Sequence, residues 1–131
     1  MRGSVKQEVM HRDYDAVLEE ILSHLPVSST VEHLEKQLLK IAGEQEKKGI
    51  FRRAFPIHPQ YGYSRKLLEH LDMLHLGGAL INSGLDFQYE KITPWIHEQA
   101  RKYAHQLTDQ ERQELKEMAA KITYAPPRDK G

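Results

Sequence analysis

The chain contains no cysteine. That single absence removes disulfide staples, thiolate nucleophiles and thiolate zinc sites, and it suits a reducing compartment. Net charge is also missing: 19 Lys and Arg stand against 19 Asp and Glu. A dedicated nucleic-acid binder draws most of its non-specific affinity from phosphate attraction and carries a basic excess, so the balance disfavours that class. Apolar runs are short, none approaching the roughly 18 residues of a membrane helix, and the first residues lack a charged-then-apolar leader pattern. A cytoplasmic protein that meets no membrane is expected. Linear catalytic signatures are absent as well. There is no GxSxG, P-loop, GxGxxG, HExxH or paired ExxH, so no motif names a nucleophile, a phosphate cradle or a metal site.

What remains is an ordinary globular composition over 131 residues, 39% apolar and 29% charged. That length suits one helical domain spanning 1–131 with a single core, the ends at 1–8 and 124–131 being flexible. The charge is segregated along it. Residues 1–46 carry nine acids and five bases (−4), residues 47–66 carry six bases and no acid (+6), and residues 67–131 carry ten acids and eight bases (−2).

Periodicity predicts an all-α bundle of four to five helices. Met10, Tyr14, Val17, Ile21 and Leu25 recur at helical spacing up to Pro26, which marks a first helix over about 9–25. Ser29 and Glu32 have capping-box spacing, so a second helix is expected over about 30–48, with Gly49 closing it in a left-handed conformation. Ser64 caps a third, whose stripe of Leu67, Leu71, Leu74, Gly78 and Ile81 reads as a central buried seam. The Gly77–Gly78 pair inside it calls for a close approach or a break. Thr93–Pro94 opens a fourth helix to about Leu107, and the Thr108/Glu111 pair opens a fifth. Residues 85–93 read as a connection containing about one helical turn.

One long ordered loop, 49–63, separates the second and third helices. Together with its flanks it forms the stretch 47–66, which joins Lys47, Lys48, Arg52, Arg53, Arg65 and Lys66 to Phe51, Phe55, Tyr61 and Tyr63. Pro56, Pro59 and Gly62 forbid a regular helix there. Arginine and tyrosine dominate binding hot spots, and a proline-stiffened loop loses little entropy on docking. The expectation is a binding or adaptor protein that meets an acidic or helical protein partner, or a second copy as a homodimer, through Arg52, Arg53, Phe55, Tyr61, Tyr63 and Arg65. The same loop offers stacking platforms to single-stranded nucleic acid, which is the first alternative. The competing structural role is that the aromatics plug the open end of the helices. A second alternative is a helical enzyme or metal protein using His70, His75 and His97, with Glu69, Asp72 and Glu98 beside them, provided those histidines converge in one concave pocket. No cofactor and no catalytic residue is assigned.

Overall fold

The computed structural model describes residues 16–45, 49–83 and 89–124. Helix α1 covers 16–23; β1 is Thr30–Glu32, α2 Leu34–Glu44, α3 Ile50–Ala54 and α4 Arg65–Leu76. They are followed by β2 (Leu80–Ser83), β3 (Tyr89–Ile92), α5 (Pro94–Tyr103), a 3-10 turn (Ala104–Gln106) and α6 (Asp109–Ala119). The fold is therefore mostly helical with a small three-stranded antiparallel sheet, and the all-α class does not hold. The ends expected to be flexible lie outside the described residues, apart from Tyr124, which bridges to Val31.

The sheet has the order β1-β3-β2, with β3 in the middle. Val31 faces Glu90, Leu80 faces Ile92, and Lys91 lies between Thr30 and Ile81. Side chains alternate between sheet faces, so Val31, Leu80 and Ile92 share the covered face and all three are buried. Lys91 and Ile81 lie on the other face, exposed. The core joins that covered face to Leu18, Ile21, Leu22 and Leu25 from α1 and the turn after it, Leu34 and Leu38 of α2, Leu67 and Leu71 of α4, Ile96 of α5 and Leu115 of α6. Fully burying one such side chain is worth about 1.5–3 kcal/mol.

The sheet explains where helical expectation failed. Residues 30–32 are a strand, so Ser29 and Glu32 make no capping box; α2 starts at Leu34 after His33, which takes a left-handed φ of 51°. Its first orphan amide is satisfied from a distance, Leu34 N–H donating to Glu90 Oε2 at 3.2 Å. Gly49 is not a left-handed helix stop either, having φ −58° and preceding α3. The expected third helix, here α4, keeps its Ser64 cap, with Leu67 N–H donating to Ser64 Oγ at 3.3 Å, but ends at Leu76 instead of running through Ile81. Gly78 has φ +81°, Gly78 N–H donates to His75 O at 3.2 Å and Ala79 N–H to Leu74 O at 2.9 Å. Those two bonds form a Schellman motif, which a glycine at this position closes without a Cβ penalty. The glycine pair is thus a helix stop, and the chain turns there into β2. The connection expected at 85–93 ends in β3, while residues 84–88 lie outside the described part.

Two starts hold as expected. Pro94 opens α5 after Thr93, whose hydroxyl donates to Gly78 O and Ala79 O, both at 2.9 Å. Thr108 and Glu111 form a complete capping box on α6, at 3.1 and 2.9 Å.

Glu35, near the start of α2, has its pKa raised from the ordinary 4.5 by burial and then by the like charge of Glu90; Lys36 lowers it in part, and Asp72 adds a smaller rise. A raised carboxyl pKa means that the fold holds this proton more tightly than the unfolded chain. Its ionised form therefore weighs against folding once pH rises past about 4.5, and the penalty vanishes as pH falls below that value. Glu35→Gln should stabilise the protein at pH 7 by a small amount, on the order of 0.5 kcal/mol, and the gain should shrink towards pH 4; thermal melts of both proteins across that range test it. The two capping expectations separate equally cleanly. Thr108→Ala should cost about 1 kcal/mol in urea unfolding, whereas Ser29→Ala should stay within about 0.5 kcal/mol; equal losses would contradict the strand assignment.

Candidate functional site

The stretch 47–66 divides into a buried part and an exposed part. Lys47 and Lys48 lie outside the described residues. Ile50–Ala54 form α3, a five-residue helix where a loop was expected. Its Phe51 and the following Phe55 stand one turn apart with ring centroids 5.0 Å apart, both fully buried. Phe55 also meets the His70 ring edge-on at 5.4 Å. The plug role therefore applies to both phenylalanines, and Phe55 leaves the contact set because no partner can reach it. Pro56 follows immediately, and the helix cannot continue.

From Ile57 to Tyr63 the chain forms a compact turn around His58. His58 N–H donates to Tyr63 O at 2.7 Å and Gly62 N–H donates to His58 O at 2.8 Å. The imidazole Nδ1 accepts from the backbone amides of Gln60 and Tyr61, at 3.1 and 3.3 Å. Gly62 sits at φ +70°, a conformation that glycine adopts freely. The outcome is a cluster of three rings: His58 lies 4.7 Å from Tyr61 and 6.1 Å from Tyr63, parallel to the latter within 6°. Tyr61 is 66% and Tyr63 39% exposed. His58, for which the sequence alone indicates no role, is thus the hub of the turn. Its signal was the His-Pro-Gln-Tyr-Gly order, with a polar side chain placed to bond its own backbone two residues on.

The three arginines of the stretch stand in three different states. Arg52 is half-buried, and its Nη1 donates to Gln45 O at 3.2 Å. Arg53 stands 3.6 Å from Glu111 at the start of α6, and Arg65 3.5 Å from Glu69 one turn along α4. Both guanidinium groups are largely exposed, so these are surface pairs worth about 0–1 kcal/mol. They hold the side chains loosely and leave them exchangeable.

His70, His75 and His97 do not share a pocket. His70 and His75 each donate an Nδ1–H to the carbonyl one turn back, Lys66 O at 3.1 Å and Leu71 O at 2.9 Å. His75 Nε2 and His97 Nε2 are buried without a hydrogen-bond partner among the described residues. His70 lines a cavity with Leu18, Met73 and Gln99. Among the described residues no group of three or more His, Asp or Glu is placed to hold a metal ion. Convergence, the condition on which the enzyme or metal alternative rested, is not met there.

No described helix is long and apolar enough to cross a membrane. Comparison of the chain with protein-family models, with curated proteins and with solved structures finds no match.

The division of the stretch has a direct thermodynamic test. Phe51→Ala should lower stability by about 3–5 kcal/mol as a buried aromatic deletion, while Tyr61→Ala should change it by less than about 0.5 kcal/mol. Chemical denaturation monitored by circular dichroism measures both, and a large loss for Tyr61→Ala would assign that ring to the core.

Proposed function

We propose that the protein is a small binding module that meets a protein partner through the His58–Tyr61–Tyr63 turn and the arginines beside it. The observation that supports this reading is the turn itself. It presents two tyrosines to solvent on a backbone already fixed by four hydrogen bonds, so little conformational entropy remains to be lost on docking. Tyrosine and arginine are the side chains that most often dominate interface energies. Arg53 and Arg65 favour an acidic partner, whose carboxylates can replace the loose pairs with Glu111 and Glu69. A cytoplasmic setting agrees with the absence of cysteine.

Between partner classes, the positions of those two glutamates favour protein over nucleic acid. A phosphate chain following the arginines would run past both carboxylates, whereas a protein surface can match alternating signs. A second copy is a further candidate partner, its acidic 1–46 segment meeting the basic stretch.

The test uses three folded proteins as immobilised bait in host lysate: wild type, Tyr61→Ala/Tyr63→Ala, and Arg53→Glu/Arg65→Glu. Loss of one hot-spot ring typically costs 2 kcal/mol or more, about 30-fold in affinity. The tyrosine variant should therefore lose the captured protein, and the arginine variant should lose it too. Capture that disappears on nuclease treatment would transfer the turn to the nucleic-acid reading, and a concentration-dependent mass in sedimentation would identify self-association. Identical partners on all three baits would make the turn scaffold.

A further inference from the structure

The tyrosine turn is built on one protonation state of its hub. His58 Nδ1 accepts from the backbone amides of Gln60 and Tyr61, at 3.1 and 3.3 Å. A ring nitrogen that accepts carries no proton, so the turn holds His58 neutral with its proton on Nε2. The same ring anchors the aromatic cluster, 4.7 Å from Tyr61 and parallel to Tyr63 within 6°. The residue is exposed, so protons reach it without any opening of the core.

Protonation reverses the role of Nδ1. An imidazolium donates from both nitrogens and accepts at neither, so an Nδ1–H would point at two amide N–H groups. Three donors cannot satisfy one another, and the ring must rotate off the amides into water. In doing so it leaves Tyr61 and Tyr63. No carboxylate compensates the new charge: among the described residues His58 joins no ion pair. The titratable groups against its ring are Tyr61 and Tyr63, uncharged below about pH 10, and the nearest described charges along the chain, Arg53 and Arg65, are themselves cations. Two backbone bonds, His58 N–H to Tyr63 O and Gly62 N–H to His58 O, do not involve the ring and keep the chain reversal. The change is thereby confined to the ring positions. From this geometry we infer that His58 is a proton gate on the docking surface, presenting Tyr61 and Tyr63 in fixed positions while neutral and releasing them when protonated. The inference rests on the turn being that surface. Docking is favoured at the upper end of the range where histidine titrates, between about pH 8 and pH 5, and is lost towards the lower end.

Asparagine is the discriminating replacement. In His58→Asn, Oδ1 stands two bonds from Cβ as Nδ1 does, and it accepts from the same amides without titrating; His58→Ala accepts nothing. NMR on wild type and both variants, from about pH 8 to pH 5, follows solvent exchange of the Gln60 and Tyr61 amides, corrected for its intrinsic pH dependence. In wild type it also follows the nuclear Overhauser contacts between the His58 and Tyr63 rings. Wild type should lose those contacts, and its two amides should exchange about tenfold faster, with the midpoint of the His58 ring protons. The amides of His58→Asn should stay protected throughout, and those of His58→Ala should be unprotected throughout. Exchange that ignores the His58 titration, or ring contacts that survive it, overturns the gate. So does a wild-type acceleration reproduced in His58→Asn, which would assign it to another histidine. No partner enters these measurements, so their failure is distinct from failure of the docking reading. Capture by the wild-type bait should fall over the same range; capture undiminished at about pH 5 also overturns the gate.

Discussion

The pairing of Tyr89–Ile92 with two segments far away in sequence is the constraint on which the rest of this structure depends. β3 holds β1 on one side and β2 on the other, and the residues at its end extend the tie. Ser28 N–H donates to Ile92 O, Ile92 N–H to Ser29 O and Thr93 N–H to Ala79 O. The turn after α1, the end of α4 and the start of α5 are thereby fastened to one short strand. Glu90 adds a fourth connection by capping α2 from the covered face of the sheet. Backbone groups buried in this region must find partners, and the strand supplies them to four helices at once.

From that frame the placement of the candidate surface follows. α4 ends where Gly78 allows a left-handed turn, which brings its C-terminus beside α5 and α1 and leaves a cavity between them. At its other end α4 begins at Ser64, immediately after the tyrosine turn. The stretch leading there is split by the chemistry of its rings. Phe51 and Phe55 have no polar atom to satisfy and gain by full burial, whereas Tyr61 and Tyr63 stand on a turn whose backbone is satisfied internally by His58 and Gly62. Charge follows the same division, with Arg52 spent on a carbonyl of the preceding segment and Arg53 and Arg65 left at the surface.

Legibility in the sequence tracked the range of the interactions involved. The Ser64 cap and the Thr108/Glu111 box were readable because each is completed within a few residues, and the α5 start because Pro94 suits the first helical position by its own fixed φ. The Ser29/Glu32 pair had the same spacing and formed no cap, since strand pairing with β3 claimed the backbone of 30–32 first. Likewise, the apolar rhythm of α4 appeared to continue through Gly78 to Ile81. Leu80 and Ile81 point to opposite faces of a strand, and Ile81 is exposed on the far face. The tyrosines and arginines of the candidate surface stood out as a charge and composition anomaly. The hub role of His58 and the cavity did not, because the first is a matter of backbone geometry and the second joins residues from three elements.

By itself, the sequence determined that helices would dominate, the points where α4, α5 and α6 begin, and the existence of one basic aromatic stretch, all of them consequences of contacts between near neighbours. Tertiary structure alone decided that strands of three and four residues would form, because such segments gain nothing until distant partners supply their hydrogen bonds. It also decided which aromatics would be buried, and which of the histidines and carboxylates would face a common space.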